Sequence, residues 1–100
     1  MIVAFSVSPS GGSPDGSVSE AVAAAVRVVR DSGLPYELSS MFTCIEGEWD
    51  EVMAVVKRAV DVVAETSPRT SVVIKADIRP GYTGQLTAKV ARVQDRLAQD

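Results

Sequence analysis

Residues 36–52, YELSSMFTCIEGEWDEV, decide the fold that this sequence predicts. Tyr36–Leu38 and Met41–Glu46 are short apolar runs that indicate two strands, or one bent pair, around Ser39 and Ser40. Gly47 then interrupts the apolar run, and an acid-rich segment opens a helical pattern. The stretch therefore predicts a central hairpin that is followed at once by a helix.

The residues before this hairpin predict one strand and one helix. Ile2–Ser8 alternates between an apolar face and a face that changes from apolar to hydroxyl, which predicts a strand. Residues 9–16, PSGGSPDG, predict a connecting loop, with a loop that closes over a ligand as the alternative; they match neither common glycine-rich phosphate-binding pattern. Ser17–Glu20 predicts a capping box, and apolar residues then recur at helical spacing as far as Val29.

Three further elements follow the hairpin. Helical periodicity predicts helices at Trp49–Glu65 and Gln85–Leu97, and alternation predicts a strand at Ser71–Arg79. The last helix has a narrow apolar seam, formed by Leu86, Val90, Val93 and Leu97. The predicted fold is α+β, a single domain over residues 1–100: a ferredoxin-like βαββαβ sandwich with an additional C-terminal helix.

Composition limits the classes of partner. Of the 100 residues, 46% are hydrophobic and 23% are charged, as in soluble globular proteins. The net charge of −3 and the lack of a basic cluster argue against a nucleic-acid partner. No apolar stretch approaches the roughly 20 residues of a membrane span, and the first residues do not resemble a signal peptide, so we expect a cytoplasmic protein with no membrane partner. Residues 1–50 carry seven acids and two bases and residues 51–100 six acids and eight bases, an asymmetry that favours self-association.

Catalytic and metal-binding residue sets are missing from the sequence. With one cysteine and no histidine, an intrachain disulfide, histidine-based catalysis and a Cys/His zinc site are all excluded. Cys44 lies within a strand and is interpreted as a small buried side chain. Glu48, Asp50 and Glu51 lie at a helix start, where acids are favoured by the helix dipole, so we interpret them as capping residues rather than metal ligands. We predict a protein that is not an enzyme and has no cofactor.

A few polar and aromatic residues have two interpretations each. Glu46 is either a solvated strand end or a carboxylate that awaits hydrogen-bond donors. Trp49 is either a core anchor or a ring that stacks on a heterocycle. Lys75 and Asp77 share one strand face, where they are either solvated or paired across strands, or form a polar patch for a small ligand or a subunit contact.

The segments SGLPYEL, MFTCIEGEWDEV, VVKRA and SVVIKADIRPG, after a first strand that ends in SVSP, resemble the thiamine-binding YkoF-like family of ferredoxin-like proteins. The resemblance covers nearly the whole chain in the same order. It implies binding of thiamine or its hydroxymethylpyrimidine portion, without catalysis, in a homo-oligomer whose sheets associate, commonly a tetramer. One departure is Phe42, which stands where the family often has glycine before the threonine of the third strand, and which we expect to narrow or reshape the pocket.

The resemblance and the polar residues together suggest a ligand site. An aminopyrimidine presents an amino group beside a ring nitrogen, and a carboxylate such as that of Glu46 can accept a two-point, charge-assisted hydrogen bond from it. The complete predicted site consists of Ser6, Ser8, Tyr36, Met41, Thr43, Glu46, Trp49, Lys75 and Asp77. The alternative function is an oligomeric regulatory or structural interaction module without a small ligand. For either function we predict a homo-oligomer, as a dimer of dimers.

Overall fold

The computed structural model describes residues 1–10 and 19–100. The elements in chain order are β1 (Ile2–Ser10), α1 (Ser19–Asp31), β2 (Tyr36–Leu38), β3 (Thr43–Glu46), α2 (Trp49–Ala64), β4 (Arg69–Asp77) and α3 (Gln85–Leu97). This order confirms the predicted ferredoxin-like βαββαβ arrangement with an additional C-terminal helix. Of the predicted loop over residues 9–16, Pro9 and Ser10 instead belong to β1, and residues 11–16 lie outside the described residues, as do Ser17 and Val18 of the predicted capping box.

The four strands form one antiparallel sheet in the order β2-β3-β1-β4. The central strand β1 has β3 on one side and β4 on the other. Its pairing with β3 runs from Ile2 to Phe5, where Phe5 lies opposite Thr43. Its pairing with β4 continues to Ser10. Beyond Phe5, therefore, β1 has a strand neighbour on one side only within the described sheet.

The sheet register and the hairpin loop explain why four strand boundaries differ from their predicted positions. β1 continues past Ser8 because Ser10 pairs with Arg69, and β4 ends at Asp77 because Asp77 pairs with Ile2, the first residue of β1. β4 therefore spans residues 69–77 rather than the predicted 71–79. β3 begins at residue 43 rather than 41 because the preceding residues form the hairpin loop.

The core lies between one face of the sheet and the two helices α1 and α2. Its buried residues come from β1, β3 and these helices: Val3, Phe5, Val7, Ala25, Val29, Ile45, Val52, Val55, Val56, Ala59 and Val63. The period-two and period-3.6 apolar patterns of the sequence thus mark the faces that pack together. Neither β4 nor α3 contributes a buried apolar residue. We call the sheet face that carries α1 and α2 the helix face, and the opposite one the open face.

At the start of α2, the acidic residues cap the helix as predicted, but Trp49 does not anchor the core. The backbone N–H of Glu48 donates to Oε1 of Glu51 at 2.8 Å, which closes the first turn of the helix. Trp49 is 53% exposed, so its interpretation as a core anchor is wrong. It is the first residue of the helix, and the buried stripe starts only at Val52, almost one turn later.

Cys44 is half-buried rather than buried. It lies opposite Ala4 in the β1–β3 pair and therefore points to the open face, away from the core. Partial desolvation raises the pKa of its thiol, and the nearby Glu37 carboxylate acts in the same direction. Cys44 is therefore a weaker nucleophile at neutral pH than an ordinary cysteine.

Residues 1–10 and 19–100 were searched for membrane-spanning helices and for metal-binding groups of side chains. None of the helices in these ranges has the length and hydropathy needed to cross a membrane. The acidic side chains in the same ranges do not gather, with or without Cys44, into a group of three or more that could bind a metal ion.

Candidate functional site

Strand alternation distributes the predicted site residues over both faces of the sheet. On β1, Val3, Phe5 and Val7 are buried on the helix face, so Ser6 and Ser8 have side chains on the open face. Thr43 lies opposite Phe5 and shares the helix face, whereas Glu46 lies opposite Ile2 on the open face. The predicted hydroxyl and carboxylate groups therefore do not all line one surface.

Glu46 is buried, with 6% of its surface exposed, so the interpretation as a solvated strand end is wrong. Its two carboxylate oxygens accept hydrogen bonds from the first turn of α3. The backbone N–H of Gln85 donates to Oε2 at 2.9 Å, and that of Leu86 donates to Oε1 at 3.1 Å. The first N–H groups of a helix lack partners within the helix and carry partial positive charge, so a carboxylate satisfies both their hydrogen bonds and the helix dipole.

The N-cap position of α3 explains why this carboxylate comes from another element. The N-cap residue is Gly84, with a φ of 66°, and glycine has no side chain with which to cap the helix. Glu46 takes over that role from the end of β3. Gly84 was therefore the local sequence signal that α3 needs an acceptor from elsewhere, and the sequence prediction did not use it.

A second contact holds α3 on the open face. The Nζ of Lys89, one turn into α3, forms an ion pair with the Asp77 carboxylate at the end of β4. The hydrogen bond and the positive charge of Lys89 lower the pKa of Asp77. Lys75 and Asp77 were the two charges predicted for a ligand patch. Asp77 is paired with Lys89, whereas Lys75, two residues earlier on the same face, is exposed.

An aromatic groove lies beside this contact, between the start of α2 and the β4–α3 connection. Its volume is about 270 Å³, and its lining consists of Met1, Glu48, Trp49, Ile78, Arg79, Pro80, Gly81, Tyr82 and Thr83. The Arg79 guanidinium lies 3.5 Å from the centre of the Tyr82 ring, a cation–π contact. Met1, Arg79 and Tyr82 also line the small space of about 10 Å³ around Glu46. The structure thus brings Trp49 and Glu46 to neighbouring cavities, of which the one at Glu46 is nearly filled.

A different pocket lies at the other end of β3. There, beyond Phe5, β1 is no longer paired with β3. We call it the hydroxyl pocket; its volume is about 60 Å³, and its lining consists of Phe5, Ser6, Val7, Ala25, Val26, Ser39, Ser40, Met41, Phe42 and Thr43. The hairpin loop forms one wall, and it is held by the N–H and Oγ of Ser39, which donate to the Phe42 carbonyl at 3.0 and 2.8 Å. Thr43 is buried.

The predicted site residues therefore separate into groups. Ser6, Met41 and Thr43 all line the hydroxyl pocket, which lies about 10–13 Å along β1 from the level of Glu46. Ser8 and Lys75 are exposed on the open face, and Tyr36 lies on the edge strand β2 opposite Ile45. Phe42 also lines the hydroxyl pocket.

Sequence reasoning missed the apolar wall of the hydroxyl pocket. Phe5 and Val7 were assigned only to a strand face, and Ala25 and Val26 only to a helical stripe. Their apolar periodicity is the same whether they pack in a core or border a cavity, so no local signal separated the two roles.

The topology and the two ends of the sheet define the class of protein. It is a ferredoxin-like α+β protein whose sheet carries a small polar pocket at one end and a docked C-terminal helix at the other. Structural neighbours share this fold. The family model described as "Thiamine-binding protein" matches residues 3–94, and the chain belongs to that family.

Relatives from bacteria and archaea support the assignment. A UPF0045 protein of Mycobacterium bovis is 57% identical over 98 residues, which cover 97% of this chain and 94% of the relative. A solved structure of a hypothetical protein from Methanocaldococcus jannascii has a TM-score of 0.82 at 27% identity, covering 93% of this chain and 94% of that one. A solved structure from Thermotoga maritima, provisionally assigned to thiamine biosynthesis or salvage, has a TM-score of 0.77 at 26% identity, covering 92% and 96%. Family membership supports a binding role.

Proposed function

We propose that this protein binds thiamine or its hydroxymethylpyrimidine portion without catalysing a reaction on it. The observation that carries the proposal is the match of residues 3–94 to the thiamine-binding protein family. The provisional assignment of the Thermotoga maritima neighbour to thiamine biosynthesis or salvage supports the same class of ligand.

The hydroxyl pocket is the proposed position of the pyrimidine ring. The Thr43 hydroxyl can both donate and accept a hydrogen bond, which suits an amino group beside a ring nitrogen. Phe5 and Val7 supply apolar wall on the helix face. The volume of 60 Å³ is well below the roughly 300–1,000 Å³ of typical ligand pockets, so only one ring of a two-ring ligand would enter, and the rest would extend past Met41.

Glu46 is the second candidate contact to the ligand. Both of its oxygens already accept N–H groups of α3, so a ligand would reach them only after α3 withdraws. Trp49 and Asp77 lie on the same side of the molecule and would contact a ligand that is bound at Glu46 in this way. If the ligand instead binds in the hydroxyl pocket, the role of Glu46 is to anchor α3.

The proposal includes a cytoplasmic homo-oligomer, assembled as a dimer of dimers. Its support is the exposed apolar surface of α3, where Val90, Val93 and Leu97 lie in one seam. The same surface favours the alternative function, an interaction module without a small ligand, because such a module needs only a partner-binding surface.

Calorimetric titration separates these two functions. Thiamine and hydroxymethylpyrimidine should both release heat and saturate with one ligand per chain, whereas the isolated thiazole portion, used as a matched control, should not bind. If neither pyrimidine compound binds to folded protein, the ligand proposal is wrong and the interaction module takes its place.

A further inference from the structure

The chain turns sharply after β4, and this turn brings two side chains of the aromatic groove together. Residues 79–82 are RPGY, and the backbone N–H of Tyr82 donates to the Arg79 carbonyl at 3.2 Å. Proline in the second position and a glycine with a φ of 83° in the third position favour a type II turn. The turn folds the chain back on itself, so that the Arg79 guanidinium lies 3.5 Å from the centre of the Tyr82 ring. The local sequence therefore fixes the position of this arginine.

A second aromatic ring, that of Trp49, lines the groove from the start of α2. Trp49, Ile78 and Tyr82 are all exposed. Large apolar side chains around a concave space, with few polar groups among them, are typical of sites for small molecules. The groove volume of about 270 Å³ lies near the lower limit of roughly 300 Å³ for such sites, which suits a ligand of one or two rings.

Arg79 is the one basic side chain in the described lining of the groove. Within residues 1–10 and 19–100 it forms no ion pair, because Asp77, the acid two residues before it, is paired with Lys89. An arginine presents five N–H donors in a flat fork, and this fork matches the two oxygens of a carboxylate. The acid of the lining, Glu48, is the N-cap residue of α2, where the partial positive charge of the helix start offsets its carboxylate. The groove therefore has a place for one anion.

We propose that the aromatic groove binds a small planar aromatic carboxylate. The ring of the ligand packs against Trp49 and Ile78, and its carboxylate accepts two parallel hydrogen bonds from Arg79. One guanidinium balances one negative charge. This favours a carboxylate over a phosphate monoester, whose charge at pH 7 is about −1.5 to −2.

This site is separate from the hydroxyl pocket. The described linings of the two cavities share no residue, and hydroxymethylpyrimidine has no anionic group for Arg79 to bind. The site does not use Glu46 either, since that carboxylate already accepts two N–H groups of α3 and would repel a second carboxylate. The groove thus takes a different class of ligand from the one proposed above, and each ligand can bind without the other.

The only tryptophan of the chain lies in the groove, so its indole N–H gives one site-specific signal in ¹H–¹⁵N NMR spectra. Benzoate at millimolar concentration should shift this signal along a curve that saturates. Benzamide has nearly the same shape without the charge, and it should bind about tenfold more weakly because it loses the charged hydrogen bonds. Cyclohexanecarboxylate keeps the charge without the flat ring, and phenyl phosphate carries the larger anion; both should bind more weakly than benzoate. Hydroxymethylpyrimidine should leave the Trp49 signal in place.

Three results of this titration would overturn the proposal. They are a Trp49 signal that does not move with benzoate, one that responds equally to benzamide, and one that responds more strongly to phenyl phosphate or cyclohexanecarboxylate. A shift caused by hydroxymethylpyrimidine would overturn the separation of the two sites.

Arg79→Gln tests the contact with the anion. It keeps a polar side chain but removes the charge and the fork, so the dissociation constant of benzoate should rise about tenfold or more while that of benzamide stays the same. Arg58→Gln, the same change at an exposed arginine of α2 outside the groove, is the matched control and should keep the native affinity. Circular dichroism verifies that each variant is folded. An unchanged affinity for benzoate in folded Arg79→Gln overturns the proposal, whereas the calorimetric titration with the pyrimidine compounds tests the proposed function independently.

Discussion

Glu46 and Leu86 lie forty residues apart and are joined by a hydrogen bond of 3.1 Å from the Leu86 backbone N–H to the Glu46 carboxylate. The adjacent N–H of Gln85 donates to the other oxygen. A strand end thus holds a helix start through two parallel donors. This is the two-point contact that the sequence predicted between Glu46 and an aminopyrimidine, with the backbone of α3 in place of the ligand.

Glu46→Gln should loosen α3. The amide keeps one acceptor oxygen but turns an NH₂ group toward the second backbone N–H, which leaves a buried donor unpaired at a cost of about 1–3 kcal/mol. Hydrogen exchange of the α3 amides should become faster in this variant. Glu37→Gln, the same change at an exposed acid of β2, should leave the exchange rates as they are.

Glu46→Gln also decides whether the ligand binds in the hydroxyl pocket or at Glu46. With the pyrimidine ring in the hydroxyl pocket, Glu46→Gln should leave the affinity for hydroxymethylpyrimidine unchanged. A tenfold or larger loss in the calorimetric titration, in protein that remains folded, would instead assign the ligand to Glu46, since hydrogen bonds to charged groups contribute about 1.5–3 kcal/mol.

Thr43→Val should weaken ligand binding. It removes the hydroxyl from the hydroxyl pocket while keeping nearly the same volume, so the expected loss is about 0.5–1.5 kcal/mol for one hydrogen bond. Calorimetry with hydroxymethylpyrimidine measures it. Ser8→Ala, which removes an exposed hydroxyl of the open face, is the matched control. Equal affinities for both variants and the native protein would move the site away from this pocket.

Phe42→Ala should enlarge the hydroxyl pocket. The ring is half-buried in the pocket wall, so its removal should cost less than the roughly 3–5 kcal/mol typical of a buried phenylalanine. We expect the affinity for thiamine to rise more than that for hydroxymethylpyrimidine, because the larger ligand must pass the hairpin loop. Parallel titrations measure the ratio, and equal losses for both ligands would show that Phe42 contacts the ligand rather than narrowing the pocket.

The Asp77–Lys89 ion pair should make stability depend on acid pH. Lys89 lowers the pKa of Asp77 in the folded state below its ordinary value of 3.8, so the contribution is present above that value and is lost as the pH falls through the lower, folded pKa. Thermal unfolding at pH 6 and at pH 3 should therefore show a smaller difference in Asp77→Asn than in native protein. Lys89→Met removes the partner instead and should reduce the difference equally. An unchanged pH dependence in both variants would contradict a role for this pair.

The fold could be predicted because its signals are local. Alternation in Ile2–Ser8 and helical spacing in Trp49–Glu65 reflect which face each element buries, and that depends on residues close in sequence. Strand ends were less accurate because they depend on partners. Arg69 belongs to β4 only because β1 continues to Ser10, and nothing near Arg69 in the sequence reports this.

The candidate site was predicted less well for the same physical reason. Thr43 and Glu46 were identified by residue type, but strand alternation between positions 43 and 46 sends them to opposite faces of the sheet. The donors that satisfy Glu46 come from α3, and the apolar wall beside Thr43 comes partly from α1. Both are contacts between elements distant in sequence, which periodicity does not report.

The apolar seam of α3 should form a contact between copies of the chain. Val90, Val93 and Leu97 are exposed, and no residue of α3 is buried, so Val90→Asp/Val93→Asp should leave the fold intact while placing charge in the seam. Light scattering should then show smaller species than for native protein. Thr87→Asp/Gln94→Asp adds the same charge to α3 outside the seam and should keep the native mass. In a dimer of dimers, the seam variant should halve the mass. A monomeric native protein at micromolar concentration would contradict the prediction.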